Sequence, residues 1–544
     1  MRKFLLTTAS AAALLAASPA LAAGPNNTSA VDQSGTNQSV IFHQDGTNDT
    51  SSVIQKGKNS TTTINQNGKI GGSSSVDQNG DGNTADVTQS DDGSANGGGA
   101  LAINPSVIIP PQGKPISISS IVQQGDFNSA DVLQKTATDS IVNTSAIGQV
   151  GSGGKAHVKQ YDDGQTSSIT QSSTGNEATV TQGLDNNLDN SYYNSSYVNQ
   201  TGADNTGTVT QSGIANSSSV TQGGNGGKAT LVQSGDLATS TISQSGTTDL
   251  ATVNQSGNRQ ISGVDQRAAN NIALINQSST AGSSSSVTQL QANNAARVTQ
   301  TGDGGNSSSI YQNATRSDGG AESGTELGVQ VLNDVPGLGN QYSYDDVSQD
   351  GARLTSGITQ TGRGEFAFVR QVGSDNQSTV GQSGESNWAY VDQAGTFNTA
   401  SYSQSGNSTT VSGANLIKDT DGIHQSGDHN QAYVNQTGSA TAFFSGRNAI
   451  NVVQSNSGNL ASVNQGGVDN RLDLNQSGAS NTTYATQAGT NETATLAQLG
   501  NGNLISLYQG GTDSSATITQ YSNNNVASIT QTGTGTIVGT QGGH

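Results

Sequence analysis

The chain has 544 residues, of which 30% are hydrophobic, 4% aromatic and 11% charged, with 71 Gly, 7 Pro and no Cys. Setting those classes aside leaves roughly 44% Ser, Thr, Asn and Gln, whereas an ordinary globular domain is about 45–50% apolar, so conventional cores of Leu, Ile and Phe are excluded. The formal net charge of −19 speaks against nucleic-acid binding, which needs clustered Lys and Arg, and the lack of Cys removes disulfides, thiol catalysis and Cys-ligated zinc.

The N-terminus reads as a secretory signal over residues 1–22. Arg2 and Lys3 are the basic region, Phe4 to Ala17 is mostly apolar, and Ala20-Leu21-Ala22 supplies small residues for cleavage before Ala23. The apolar stretch is shorter than the about 20 residues that a bilayer span needs. The expectation is a secreted protein with no transmembrane segment after cleavage.

From Gln33 onward a repeat dominates. Gln33, Gln44, Gln55, Gln66, Gln78 and Gln89 each follow Val/Ile-x or a close variant and recur in steps of 11 or 12. The same spacing recurs from Gln200 to Gln312 and from Gln454 to Gln531, and shorter runs bring the total to 39 units. The full unit is Q-x-G-x-x-N-x-A-x-V-x-Q. Gln123, Gly125, Asn128, Ala130, Val132 and Gln134 match it at every fixed position, as do Gln382, Gly384, Asn387, Ala389, Val391 and Gln393.

Asn387, Ala389, Val391 and Gln393 alternate, which puts them on one face of a strand. Trp388, Tyr390 and Asp392 then point to the other. Gly two residues after Gln, followed by two free positions, is turn chemistry. Each unit is a strand of about six residues and a tight turn, and two units make a coil of roughly 22 residues. Such a unit cannot bury its face alone. Stacking the coils at about 4.8 Å pairs every backbone group and lines Gln and Asn into amide ladders. The predicted fold is an all-β solenoid of about 20 layers, two short strands per coil, about 95 Å long at that spacing. Ladder residues are exemplified by Gln123, Asn128, Gln134, Gln382, Asn387, Gln393, Gln404, Gln476, Asn481, Gln487, Gln520 and Gln531.

The register breaks near 91–120, which holds Pro105, Pro110, Pro111 and Pro115, and near 184–194, 313–344 and 405–424. Proline cannot donate to a ladder, and a solenoid accepts insertions at little cost. These segments read as inert loops within one repeat domain, 23–544.

The unit resembles the curlin repeat of the curli subunits, bacterial extracellular amyloid fibres. The Gln spacing, Gly at two and Asn at five residues after Gln carry the resemblance from Ser29 to Gln531. The Ala and Val before each Gln resemble the minor, nucleating curlin more than the major one. In the first units Asn37, Asn48 and Asn59 come four residues after Gln instead. The resemblance implies export through an outer-membrane pore, other curlin-like subunits as partners, and a cell-surface fibre serving adhesion and biofilm.

A search for chemistry nominates no catalytic residue, cofactor or metal site. His424 and His429 have only Asp428 beside them, too few ligands for a metal. Asp419-x-Asp421-Gly422 opens like a calcium loop that no Glu closes. Asp345 and Asp346 read as a solvated strand start. The functional expectation is a self-assembling structural subunit, since a solenoid with open strand edges templates its own continuation and the repeat runs uncapped to Gln531. The alternative is a monomeric secreted solenoid binding ice, carbohydrate or another surface. Ice binding is disfavoured because the outward residues Thr88, Asp131, Tyr390 and Ser401 vary widely.

Overall fold

The computed structural model describes residues 4–7, 26–67, 71–91, 117–136, 142–183, 191–313, 343–362, 364–385, 387–407, 422–437 and 448–542. The chain is an all-β parallel solenoid of about 19 turns, with roughly 22 residues and one strand of each of two sheets per coil. It divides into two compact units, 1–264 and 265–544.

The period-2 pattern sets the strands. In Glu177–Gln182, Ala178, Val180 and Gln182 are buried while Glu177, Thr179 and Thr181 are not. The next strand of the same sheet, Thr206–Gln211, lies parallel with Val180 beside Val209 and Gln182 beside Gln211. Because like residues meet like, no slip of register is tolerated: a shift of one residue would send Val and Gln to solvent. In the first unit, sheet I holds Ser117–Gln124, Asn143–Val150, Thr166–Gln171 and Ser195–Gln200 in that order. Sheet II holds Thr84–Asp91, Ser129–Thr136, Lys155–Tyr161 and Glu177–Gln182. In the second unit, sheet III runs from Ser284–Gln289 to Val526–Gln531, and sheet IV from Ile272–Gln277 to Gly535–Gln541. The interior is thin: columns of Val, Ile or Leu flanked by Ala, Ser and the amides.

The turns carry a constraint that composition hides. The fourth residue after Gln adopts a left-handed backbone in most coils, including Leu237 at φ 58° and Thr248 at φ 57°. Asn37, Asn48 and Asn59 occupy this position at φ 56°, 62° and 56°. Their apparent departure from the repeat is therefore turn chemistry, which Asn tolerates, while Gln38, Asp49 and Ser60 hold the buried place next to them. Gly two residues after Gln has a different cause. A Cβ on Gly384 would stand 1.9 Å from the carbonyl oxygen of Gly406 one coil on, so coil approach itself demands glycine. Leu237 is 50% exposed and contributes little packing. Leu237→Asn is expected to stabilise its coil by about 0.5–1 kcal/mol by relieving the left-handed strain, read as slower hydrogen exchange in strands Lys228–Gln233 and Leu250–Gln255.

The expected insertions lie for the most part outside the described residues. Where their ranges are described the chain is strand at Ser117–Gln124, Ser343–Ala352 and Gly422–Asp428, whereas residues 191–194 and Asn313 are not strand. Of the expected leader only residues 4–7 are described, and their backbone pairs antiparallel with Ser39–Phe42.

Candidate functional site

The long feature of the molecule is its glutamine columns, and their geometry is nearly invariant. Each Gln Nε2 donates to Oε1 of the Gln one coil on. The bond is 2.8 Å for Gln123 to Gln149, Gln134 to Gln160, Gln382 to Gln404, Gln393 to Gln425, Gln404 to Gln436 and Gln476 to Gln498. For Gln487 to Gln509 it is 2.9 Å and for Gln520 to Gln541 2.8 Å. The second N–H crosses the interior to the opposite strand: Gln382 donates to the Phe366 carbonyl and Gln393 to the Gln377 carbonyl, both at 3.0 Å. One amide thus ties its own column along the axis and its two sheets across it. Gln531 accepts from Gln509 at 3.1 Å and turns its Nε2 to the Gly535 carbonyl at 2.7 Å.

Gln541 completes the sheet IV column and was outside the 39-unit pattern. Register places Gly539 at the Val position and Val538 outward, so the Val-x-Gln signature is absent although the ladder continues.

Asparagine behaves differently from the expected Asn–Asn column. Its Oδ1 accepts the backbone N–H of the equivalent residue one coil on, as from Asn398 to Asn376 and Asn503 to Asn481 at 2.9 Å. In many coils its Nδ2 donates to a turn carbonyl of that coil, as from Asn128 to Gly151 at 3.0 Å and Asn387 to Gly406 at 3.3 Å, whereas Asn481 and Asn503 make no such bond. The side chain is one methylene shorter than Gln and sits where strand becomes turn. It therefore joins the exposed backbone groups of neighbouring coils, the same service an N-cap performs for a helix.

Buried acids take the Asn position in several coils, as Asp49, Asp249, Glu365 and Glu492 do, and beside Glu365 a second buried acid stands in the coil before. Glu365 occupies the Asn position of its coil and Asp345 the Ala position of the coil before, where register sets it between Ala296 and Ala367. Both are 0% exposed. Gly362 N–H donates to Glu365 at 3.2 Å and Asn387 Nδ2 at 3.3 Å. Neither carboxylate oxygen of Asp345 receives a hydrogen bond of normal geometry. Burial, then the facing Glu365, hold the Asp345 carboxyl well above the usual carboxylate range, and burial pushes Glu365 up to about 7. Beside them the Gln312 to Gln360 bond is stretched to 3.4 Å.

This corrects the expectation of a solvated pair at Asp345 and Asp346. Alternation sends the two to opposite faces: Asp346 is outside and paired with Arg297, while Asp345 is inside. Counting back four residues from Gln349 would have assigned it. His424 and His429 diverge too, His424 lying 5.2 Å from the Tyr390 ring and His429 stacked 4.9 Å from Phe397. Asp419 and Asp421 lie outside the described residues. Among the described residues no three His, Asp or Glu side chains converge as a metal site would require.

The family model of the curlin associated repeat matches residues 202–235, 373–406 and 467–500. Each match spans three ladder glutamines, such as Gln382, Gln393 and Gln404. No curated protein matches the chain. The matches fall in both units and on the amide columns described above, so the chain carries curlin associated repeats.

Proposed function

We propose that this protein is a structural subunit of extracellular curli-like amyloid fibres, self-assembling at the cell surface for adhesion and biofilm formation. Export through an outer-membrane pore after removal of residues 1–22, and co-assembly with other curlin-like subunits, belong to the same reading. One observation carries it: the in-register amide ladder. Translation by one coil brings each Gln donor onto the next Gln acceptor at 2.8 Å, and nothing in that bond requires its two partners to share a chain. A second copy offering the same coil continues the columns, with all backbone groups paired as in cross-β structure. The residues that would do this are the ladder residues, Gln382, Asn387 and Gln393 among them.

The purified mature protein is expected to assemble after a lag into thioflavin-positive fibres with a reflection at about 4.7–4.8 Å along the axis. A protein that stays monomeric at high concentration over days would refute the proposal.

A further inference from the structure

The two outer faces of each unit differ in charge. The outward residues ahead of each ladder Gln form the flat of a sheet. In sheet II they include Asp86, Asp131, Lys155, Lys159 and Glu177. In sheet IV they include Arg370 paired with Asp392, Arg297 paired with Asp346, and Arg471 bonded to Asp473. Sheet I from Ser117 to Gln244 carries none among the described residues: Thr166, Ser168 and Thr170 are followed by Ser217, Ser219 and Thr221, then Thr239, Thr241 and Ser243. Ahead of the ladder Gln, the ten strands of sheet III are likewise uncharged, with Ser, Thr, Asn and exposed tyrosines such as Tyr433, Tyr484 and Tyr508. In a chain of net charge −19, this stretch of sheet I and the ten strands of sheet III are free of formal charge ahead of the ladder Gln, whereas the earlier strands of sheet I carry Asp32 and Asp77.

The geometry points to these faces as the surfaces by which a second copy of the chain packs side by side, sheet on sheet, in laterally paired fibres. This rests on the fibre reading above. Charge selects the occupant. Like-charged chains repel wherever their acidic surfaces meet, and such repulsion keeps proteins apart in solution. The neutral faces are where two copies approach without it. The surface is also large enough. A six-residue strand is about 20 Å long and about 4.8 Å wide, so the ten strands of sheet III present about 950 Å² against the about 800 Å² per partner of a standard interface. Short hydroxyl side chains leave the face flat, as sheets packed about 10 Å apart require. The tyrosines add broad contact at low entropic cost.

The test compares two variants of the full chain with equal net charge. One carries Ser219→Asp, Thr241→Asp, Ser462→Asp and Ser506→Asp on sheets I and III. The other carries Thr208→Asp, Thr230→Asp, Thr495→Asp and Thr517→Asp at the equivalent places of sheets II and IV. Both are expected to form thioflavin-positive fibres with the wild-type lag. Only the first should lose side-by-side pairs in electron micrographs, and 1 M salt, where the Debye length is about 3 Å, should restore them. Pairing that survives in the first variant, or is lost equally in the second, would overturn the assignment. So would wild-type fibres that stay single and instead sediment with cellulose, since a neutral glycan would then be the occupant. Absence of any wild-type fibre would instead overturn the fibre reading.

Discussion

Gln487→Leu is expected to melt the second unit locally, around its own coil. Gln487 accepts from Gln465 at 2.8 Å and donates to Gln509 at 2.9 Å and to the Arg471 carbonyl at 3.1 Å. Leucine fills much of the space but leaves a Gln465 donor and a Gln509 acceptor buried without partners. Each such orphan costs about 1–3 kcal/mol, so the loss is about 2–6 kcal/mol, less the small gain in apolar burial. In a solenoid each coil touches only its neighbours, so the damage should stay near its source. Hydrogen-exchange protection should fall in Leu460–Gln465, Thr482–Gln487 and Leu504–Gln509 and hold in remote coils. Unchanged protection would mean the ladder contributes little. Gln487→Glu separates hydrogen bonding from shape. Protonated, the new acid can donate once and accept. Ionised, it can donate to neither Gln509 nor Arg471, and its charge is buried. Its stability should therefore fall as pH rises above the ordinary carboxylate range.

The strands were legible because two periodicities coincide. Alternation places Val391 and Gln393 on one face, and the 11-residue step puts Gln382 and Gln404 in one column. What the reading missed falls where a residue is defined by its neighbours in space. Asn37 and Asn48 look like ladder residues displaced by one, yet their left-handed backbone places them in the turn. Asp345 and Asp346 look alike in sequence and differ by complete burial. Gln541 lacks its Val yet accepts a ladder bond. Pooling Thr88, Asp131, Tyr390 and Ser401 as one varied surface mixed two kinds of face. The first three stand on sheets II and IV, whereas Ser401 stands on uncharged sheet III. Consecutive units alternate between sheets, so face chemistry has a period of two units, which a one-unit pattern averages away.

The two buried acids predict how this coil responds to pH. A carboxyl whose folded value is raised holds its proton in the folded state at a pH where the unfolded chain has released it. Stability is thus highest below the ordinary value and falls as pH rises to the folded one. For Glu365 the window runs from about 4.5 to about 7, and at about 1.4 kcal/mol per unit the loss across it is on the order of 3 kcal/mol. Asp345 adds to the loss in the same direction, since burial and the facing Glu365 raise it as well. Asn387 and the Gly362 N–H moderate Glu365, Gln312 moderates Asp345, and Asp346 on the opposite face adds a weak like charge. Hydrogen exchange in Ser343–Ala352 and Phe366–Ser374 should therefore be slower at pH 5 than at pH 8 after correction for intrinsic rates. Glu365→Asn restores the ladder residue and Asp345→Ala the small member of its column. The double variant should show equal protection at both pH values and match the wild type at pH 5. An undiminished pH effect in that variant would assign the sensitivity to other groups. Because Gln312 to Gln360 is the stretched bond here, the same substitutions should also protect Thr355–Gln360 in the facing sheet, a response that relief of charge in Ser343–Ala352 alone would not produce.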